Sequence, residues 1–149
     1  MNVEKDFRDL FALFNAHGVE YIIVGGGYAL AFHGAPRYTG DMDIYVKADV
    51  ANAQRVIAAL TEFGFGSLEL TAADFEKPDI VIQLGLPPVR IDIMTSISGV
   101  SWEEAYAGRV QSTYGDATVY YIGRKQFVAN KRSTGRKRDI ADLEALGED

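Results

Sequence analysis

The sequence predicts an α/β domain of the α+β kind, with a mixed β-sheet flanked by helices. Apolar residues recur at helical spacing in some segments and alternate at strand spacing in others. Helical and strand segments are intermixed, and two pairs of strands are separated only by short turns. The 149 residues, 48% of them hydrophobic, suffice for one cored domain, and no repeat or linker divides them.

The first half of the chain predicts three helices and two strands. Phenylalanine and leucine form one helical stripe near the N-terminus, which a glycine ends. A carboxylate placed just before a second apolar stripe is a typical N-cap. In order, the expected elements are a helix over 3–17, a buried strand over 21–24, a short helix over 28–33, a strictly alternating strand over 37–46, and a helix that follows Asp49 and closes at Gly64.

The second half predicts two hairpins, one helix and a helical tail. The run DIVIQLGLPPVRIDIMTSI reads as two strands joined by a Gly/Pro turn. Ser101 and Glu104 form a capping box for a short helix. VQSTYGDATVYYI is a hairpin that turns at residues 114–116. The tail, 124–146, is expected to form two short helices broken near Gly135.

Composition excludes several classes of protein. There are no cysteines, so disulfides, thiol catalysis and cysteine zinc sites are absent, and two histidines cannot build a histidine-rich metal cage. No apolar run approaches the length of a membrane span, and the N-terminus lacks the pattern of a secretory signal. We therefore expect a cytoplasmic protein that does not bind membranes.

Charge is distributed unevenly along the chain. The net charge is −6, yet residues 124–138 contain seven basic side chains and no acidic one, which leaves eight basic against 21 acidic residues elsewhere. An acidic body with one basic segment indicates a local anion site rather than a broad nucleic-acid-binding face. A solvated helix surface is the alternative interpretation of the same segment.

The stretch VGGGYALAFHGAPRYTGDMDIYV combines three consecutive glycines with two aspartates at alternate positions. It lacks the Gly-Lys-Ser/Thr of a Walker loop and the third glycine of a dinucleotide fingerprint. A bare glycine turn between a strand and a helix still allows backbone N–H groups to approach a phosphate, although a simple tight turn gives the same pattern. We interpret Gly25, Gly26 and Gly27 as candidate phosphate-binding residues.

Three aspartates are candidate metal ligands. Asp41 and Asp43 lie on one face of a strand and can share a divalent cation, since Mg²⁺ prefers hard oxygen ligands and completes its shell with water and phosphates. Asp92 lies between two isoleucines, on the same strand face as Arg90. If its strand neighbours the first, three carboxylates converge, as two-metal phosphoryl transfer requires.

These residues resemble the nucleotidyltransferase superfamily that includes DNA polymerase β. Within it, Gly-Gly-x-Ala-Leu-x-x-His-Gly running into Arg-x-Thr-x-Asp-x-Asp is most similar to bacterial AbiEii-type proteins of toxin–antitoxin systems, as is the tail from Lys131 to Leu143. The resemblance implies a magnesium-dependent enzyme that moves a nucleoside monophosphate from a triphosphate, most often ATP, to a hydroxyl. The implied acceptors are tRNA ends, a protein side chain or a small alcohol.

The resemblance also assigns roles to residues. Asp41, Asp43 and Asp92 would bind two Mg²⁺ ions, and Asp92 would also help to deprotonate the acceptor. The glycine turn would hold the triphosphate, with Gly27 standing where the superfamily usually has a small hydroxyl residue. The further nucleotide-binding candidates are Arg37, Thr39, Lys131, Arg136 and Lys137.

Two other functions use the same residues. A catalytically weak, antitoxin-like module would keep the fold and bind a partner protein, and the missing hydroxyl after the glycines favours it. Metal-dependent phosphodiester hydrolysis would use the same acids, with water in place of the acceptor hydroxyl. No feature of the sequence specifies an oligomeric state.

Overall fold

The computed structural model describes residues 5–25, 28–34, 41–65, 70–86 and 89–148. Helices and strands alternate along the chain much as the patterns predict. The helices are α1 (Lys5–Ala16), α2 (Tyr28–Phe32), α3 (Val50–Leu60), α4 (Trp102–Gly108), α5 (Arg124–Thr134) and α6 (Lys137–Ala145), and the strands are β1 (Tyr21–Gly25), β2 (Asp41–Val46), β3 (Val81–Leu86), β4 (Val89–Met94), β5 (Val110–Tyr114) and β6 (Ala117–Tyr121).

The six strands form one mixed sheet in the order β3-β4-β2-β1-β6-β5. Both predicted hairpins, β3–β4 and β5–β6, are antiparallel pairs of neighbours. Of the other three pairings, β1 with β2 is antiparallel, and β2 with β4 and β1 with β6 are parallel. The predicted mixed sheet flanked by helices is therefore confirmed.

Side-chain alternation divides the core between the two faces of the sheet. Phenylalanines of α1 and apolar residues of α3 pack on one face together with Ile23, Ile44 and Ile93. On the opposite face, Ile22, Val24 and Tyr45 pack against α2, α4 and α5. A helix–sheet–helix sandwich results, because each strand presents alternate residues to opposite layers.

Local signals fix several element boundaries as expected. The Asp49 carboxylate accepts a hydrogen bond from the Asn52 N–H at 2.7 Å and caps α3, and Ser101 and Glu104 form the predicted capping box of α4. Gly115 turns the β5–β6 hairpin with φ 61°, and Gly135 separates α5 from α6 with φ 62°. Glycine adopts these positive φ values without steric cost.

Several predicted boundaries differ from the observed ones by one residue, and two elements need a longer comment. Helix α3 ends at Leu60, before the expected Gly64, and residues 61–65 form a wider turn in which Gly64 has φ 121°. Strand β2 begins at Asp41, and residues 37–40 of the expected strand lie outside the described residues. Within the described residues, no helix combines the length and hydrophobicity needed to cross a membrane.

Candidate functional site

Strands β2 and β4 place the predicted carboxylates together. They pair in parallel, with Asp43 directly opposite Asp92 and Asp41 opposite Arg90. Met42 and Ile44 pack with α1 and α3, so Asp43, which lies between them, faces the layer that contains α5, and so does Asp41 by the same alternation. The expectation that Asp92 lies on a strand beside Asp43 is therefore confirmed.

Gly25 of β1 borders the same carboxylate. It pairs with Asp43 across an irregularity in the antiparallel β1–β2 ladder. A Cβ atom at position 25 would stand 2.7 Å from Asp43 Oδ2, too close without a shift of the carboxylate, and a tight 3.3 Å from the Asp43 Cβ. Glycine at this position therefore leaves room for the carboxylate, a role distinct from the predicted phosphate contact, which stays a prediction.

Arg90 forms a two-pronged ion pair with Asp92. Its Nε donates to Oδ1 at 3.1 Å and its Nη2 donates to Oδ2 at 3.2 Å. The Asp92 side chain is 14% exposed and that of Arg90 is 32% exposed. A guanidinium in this geometry gives a carboxylate both charge neutralisation and two directed hydrogen bonds.

Asp43 is held in an environment that disfavours its charge. Burial, followed by the negative charge of Asp92, raises the pKa of Asp43 to about 6, with Asp41 acting in the same direction. The positive charges of Lys131 and Arg138 act against this rise. A partly buried carboxylate beside like charges is a typical feature of sites that bind cations or transfer protons.

Lys131 of α5 is the predicted basic residue whose positive charge acts on Asp43. Its ammonium lies 3.3 Å from Asp139 Oδ1 and 3.4 Å from Asp142 Oδ2, both on α6. The Lys131 side chain is 13% exposed, against 0% and 8% for the two acids. The predicted site residue therefore lies inside the fold, in an ion network that joins α5 and α6, with its charge acting on Asp43.

Asp139 is the centre of that network. It accepts hydrogen bonds from Arg136 Nε at 2.7 Å and from Thr134 Oγ1 at 2.7 Å, in addition to its contact with Lys131. Although burial acts to raise the pKa of Asp139, these hydrogen bonds and the Lys131 charge hold it well below its usual range. Arg136, a predicted nucleotide-binding residue, therefore forms an ion pair with Asp139 of α6.

The remaining predicted residues are distributed as follows. Lys137 is exposed at the first turn of α6. Gly26, Gly27, Arg37 and Thr39 lie outside the described residues.

The donor set fits a magnesium site built on two carboxylates. Asp43 and Asp92 carry hard oxygen ligands on adjacent strands, and a cation at Asp92 would share its two oxygens with Arg90. Mg²⁺ commonly takes one or two carboxylates and fills its other positions with water and phosphate. Within the described ranges, no three acidic or histidine side chains are grouped closely enough to hold a metal ion. Convergence of Asp41 with the other two as a third ligand stays a prediction.

The sequence patterns did not identify three parts of this site. Arg90 was visible two residues before Asp92 on one strand face, but its ion pair was not predicted. Arg138 belongs to the basic segment and acts on Asp43 through its charge. The buried pair Asp139 and Asp142 follows directly after that segment, and its spacing from Lys131 was the available signal.

Comparison with solved structures identifies the class of fold. The chain is similar to the crystal structure of a Thermotoga maritima protein provisionally described as a nucleotidyltransferase. The TM-score is 0.64 at 14% sequence identity, over 94% of this chain and 89% of the other. At this identity the likeness establishes a shared fold, that of a nucleotidyltransferase-like α/β domain.

The chain belongs to the family described as "Nucleotidyl transferase of unknown function" (DUF2204), whose model matches residues 3–149. A search of curated proteins gave no match. The family and the fold support the resemblance at the level of nucleotidyltransferases, and the narrower AbiEii-type assignment stays a prediction.

Proposed function

We propose that this protein is a magnesium-dependent nucleotidyltransferase that moves a nucleoside monophosphate from a triphosphate to a hydroxyl acceptor. The observation that carries the proposal is the placement of Asp43 directly opposite Asp92 on adjacent parallel strands. Burial and mutual repulsion leave the Asp43 charge incompletely compensated, so a divalent cation bound there would relieve both. Family and fold agree with this chemistry.

The three aspartates divide the proposed chemistry between them. Asp41, Asp43 and Asp92 would hold two Mg²⁺ ions, which when bound would neutralise the phosphate charge that builds up during transfer. The acceptor oxygen forms a bond to the α-phosphorus as the bond to the bridging oxygen breaks, and pyrophosphate leaves with that electron pair. Asp92 accepts the proton of the acceptor hydroxyl. Positioning and charge neutralisation provide most of the rate enhancement.

Nucleotide contacts would come from two sides. Gly25, Gly26 and Gly27 would form the proposed triphosphate turn, and Arg37 and Thr39 would add further nucleotide contacts. On the other side, Lys131 is the best supported of the basic candidates, because its charge already acts on Asp43. Arg136 and Lys137 complete the proposed set of nucleotide-binding residues. Arg136 would contact the nucleotide while it donates a hydrogen bond to Asp139.

ATP is the proposed donor, and the proposed acceptors are a tRNA end, a cognate protein or a small alcohol, within a toxin–antitoxin pair. The acidic body disfavours a long RNA groove, whose affinity would depend on many phosphate contacts. The basic segment 124–138 suits one anionic end of an acceptor instead.

A catalytically weak partner-binding module is the second candidate, and one observation favours it. Arg90 engages both oxygens of Asp92, where a cation would otherwise bind. If Arg90 replaces a metal permanently, the site binds nucleotide without turnover. Arg90→Met would then strengthen magnesium binding, because it frees both oxygens of Asp92.

Turnover of α-³²P-labelled triphosphates with magnesium tests the proposal. A transferase releases pyrophosphate and transfers the label to an RNA, protein or small-molecule fraction, whereas phosphodiester hydrolysis leaves no labelled acceptor. Asp43→Asn with Asp92→Asn removes turnover, and Asp6→Asn, an exposed carboxylate on α1 across the sheet, does not. Triphosphate that is bound but never turned over, with every acceptor fraction supplied, supports the partner-binding module instead.

A further inference from the structure

The ion network between α5 and α6 has features that simple helix packing does not require. Lys131 lies between two acids, one of which, Asp139, is fully buried. Ions removed from water carry a large desolvation cost unless they are well paired. An apolar contact between these helices would avoid that cost, so the network requires another explanation.

The side of α5 on which Lys131 lies supplies an explanation for this network. Helix α5 packs on the sheet face to which Asp43 and Asp92 point, because Phe127 belongs to the cluster that contains Tyr45, two residues after Asp43. Lys131 is one helical turn beyond Phe127 and therefore lies on the same side of α5. A flexible lysine at this place has several rotamers available, and two carboxylates restrict it to one.

Resting on the proposed function, we propose that Asp139 and Asp142 are positioning residues that hold the Lys131 ammonium beside the β2–β4 carboxylates, ready to bind the triphosphate. Lys131 contacts the nucleotide, and the two acids act through it. Both acids also balance the charges of Lys131 and Arg136, so the cluster is neutral before the ligand arrives.

The first measurement follows Lys131 itself, without nucleotide. Amine acylation read by mass spectrometry compares Lys131 with Lys125, an exposed lysine on the same helix. In the wild-type protein Lys131 reacts more slowly than Lys125. In Asp142→Asn and Asp139→Asn its reactivity rises towards that of Lys125. Unchanged Lys131 reactivity in both folded variants would overturn the proposal, whatever the protein's activity.

The second measurement is calorimetric titration with ATP and magnesium. Loss of one charge-assisted contact weakens binding by roughly 10- to 100-fold, so Lys131→Met falls in that range and Asp142→Asn at its lower end. Asp142→Glu restores affinity, and Glu144→Gln, an exposed acid on the same helix, leaves it unchanged. If Asp139→Asn does not fold, Asp142→Asn alone provides both the acylation test and the titration test.

A purely structural network gives a different combination of results. The acid variants would then lower the free energy of unfolding and free Lys131, while ATP affinity per folded molecule stayed at the wild-type value, which contradicts the proposal. If wild-type protein binds no triphosphate although Lys131 is protected as expected, the proposed function fails and the nucleotide role of Lys131 fails with it. The wild-type titration distinguishes the two failures: a wild-type protein that binds ATP while the acid variants bind it equally well contradicts only the positioning role, whereas a wild-type protein that binds no triphosphate contradicts the proposed function.

Discussion

Replacing Asp43 with asparagine is expected to stabilise the fold at neutral pH while removing the site. Burial and the charge of Asp92 raise the pKa of Asp43 from 3.8 to about 6. The folded protein therefore holds the Asp43 proton more tightly than the unfolded chain does, so ionisation of this carboxyl costs stability. The cost is small below pH about 4, grows between pH about 4 and about 6, and is complete above pH about 7.

The magnitude follows from the size of the shift. One pKa unit corresponds to about 1.4 kcal/mol, so a rise of about two units gives a cost of about 3 kcal/mol at pH 7.5. The cost falls to about half that value at pH 5 and largely disappears by pH 4. In a domain of this size, 3 kcal/mol corresponds to a rise in melting temperature on the order of 9 °C.

Urea denaturation followed by circular dichroism at pH 7.5, 6, 5 and 4 measures the difference between Asp43→Asn and wild type. The change of that difference with pH is the informative quantity, because any packing effect of the amide is the same at every pH. Magnesium adds a second check, since it stabilises the wild-type protein and not the variant.

Asp139→Asn is the counterpart with the opposite sign. The pKa of Asp139 is held below its usual range, so this carboxylate contributes stability above pH about 4 that is lost as the pH falls further. Asp139→Asn is therefore less stable than wild type at pH 7.5.

A stability difference for Asp43→Asn that does not vary between pH 7.5 and 4 would refute the reasoning about the buried carboxylate pair.

The remaining predictions concern single contacts. Gly25→Ala displaces the Asp43 carboxylate, which lowers the free energy of unfolding by about 1–3 kcal/mol in urea titration and weakens magnesium binding. Asn52→Ala removes the acceptor of the Glu20 N–H and one of the hydrogen bonds to each of the Glu20 and Lys47 carbonyls, which costs about 3 kcal/mol with ATP affinity unchanged, and a loss below 1 kcal/mol would contradict this. Asp49→Ala removes the α3 cap and costs about 1 kcal/mol by the same assay, and no loss would show that the cap is dispensable.

The sequence predicted the fold well where local patterns determine it. Strict alternation around Asp41 and Asp43 assigned both to one strand face, and the capping box at Ser101 placed the start of α4. The short turns identified both hairpins. In each case the deciding residues lie within a few positions of one another.

Contacts between distant segments were harder to predict. That β4 lies beside β2 depends on how the whole sheet assembles, so the pairing of Asp43 with Asp92 was only a conditional expectation. Arg90 lay on the predicted face, yet its choice of Asp92 over Asp41 depends on side-chain geometry across two strands.

The basic segment shows the same limit on the helical side. The pattern of residues 124–138 indicates either a cationic surface or an anion site. Lys131, in the middle of this segment, forms an ion pair with Asp139, which is the residue directly after the segment. Only the turn at Gly135, which folds α6 back against α5, brings Lys131 and Asp139 together. A charge count along the chain contains no information about that turn.

Isothermal titration with ATP, CTP, GTP and UTP, each with and without magnesium, tests the central claim most directly. The account predicts magnesium-dependent binding of one triphosphate, ATP by our proposal, that is lost in a variant carrying Asp43→Ala and Asp92→Ala and retained in Asp6→Asn. A well-folded wild-type protein that binds no triphosphate under any of these conditions would contradict it.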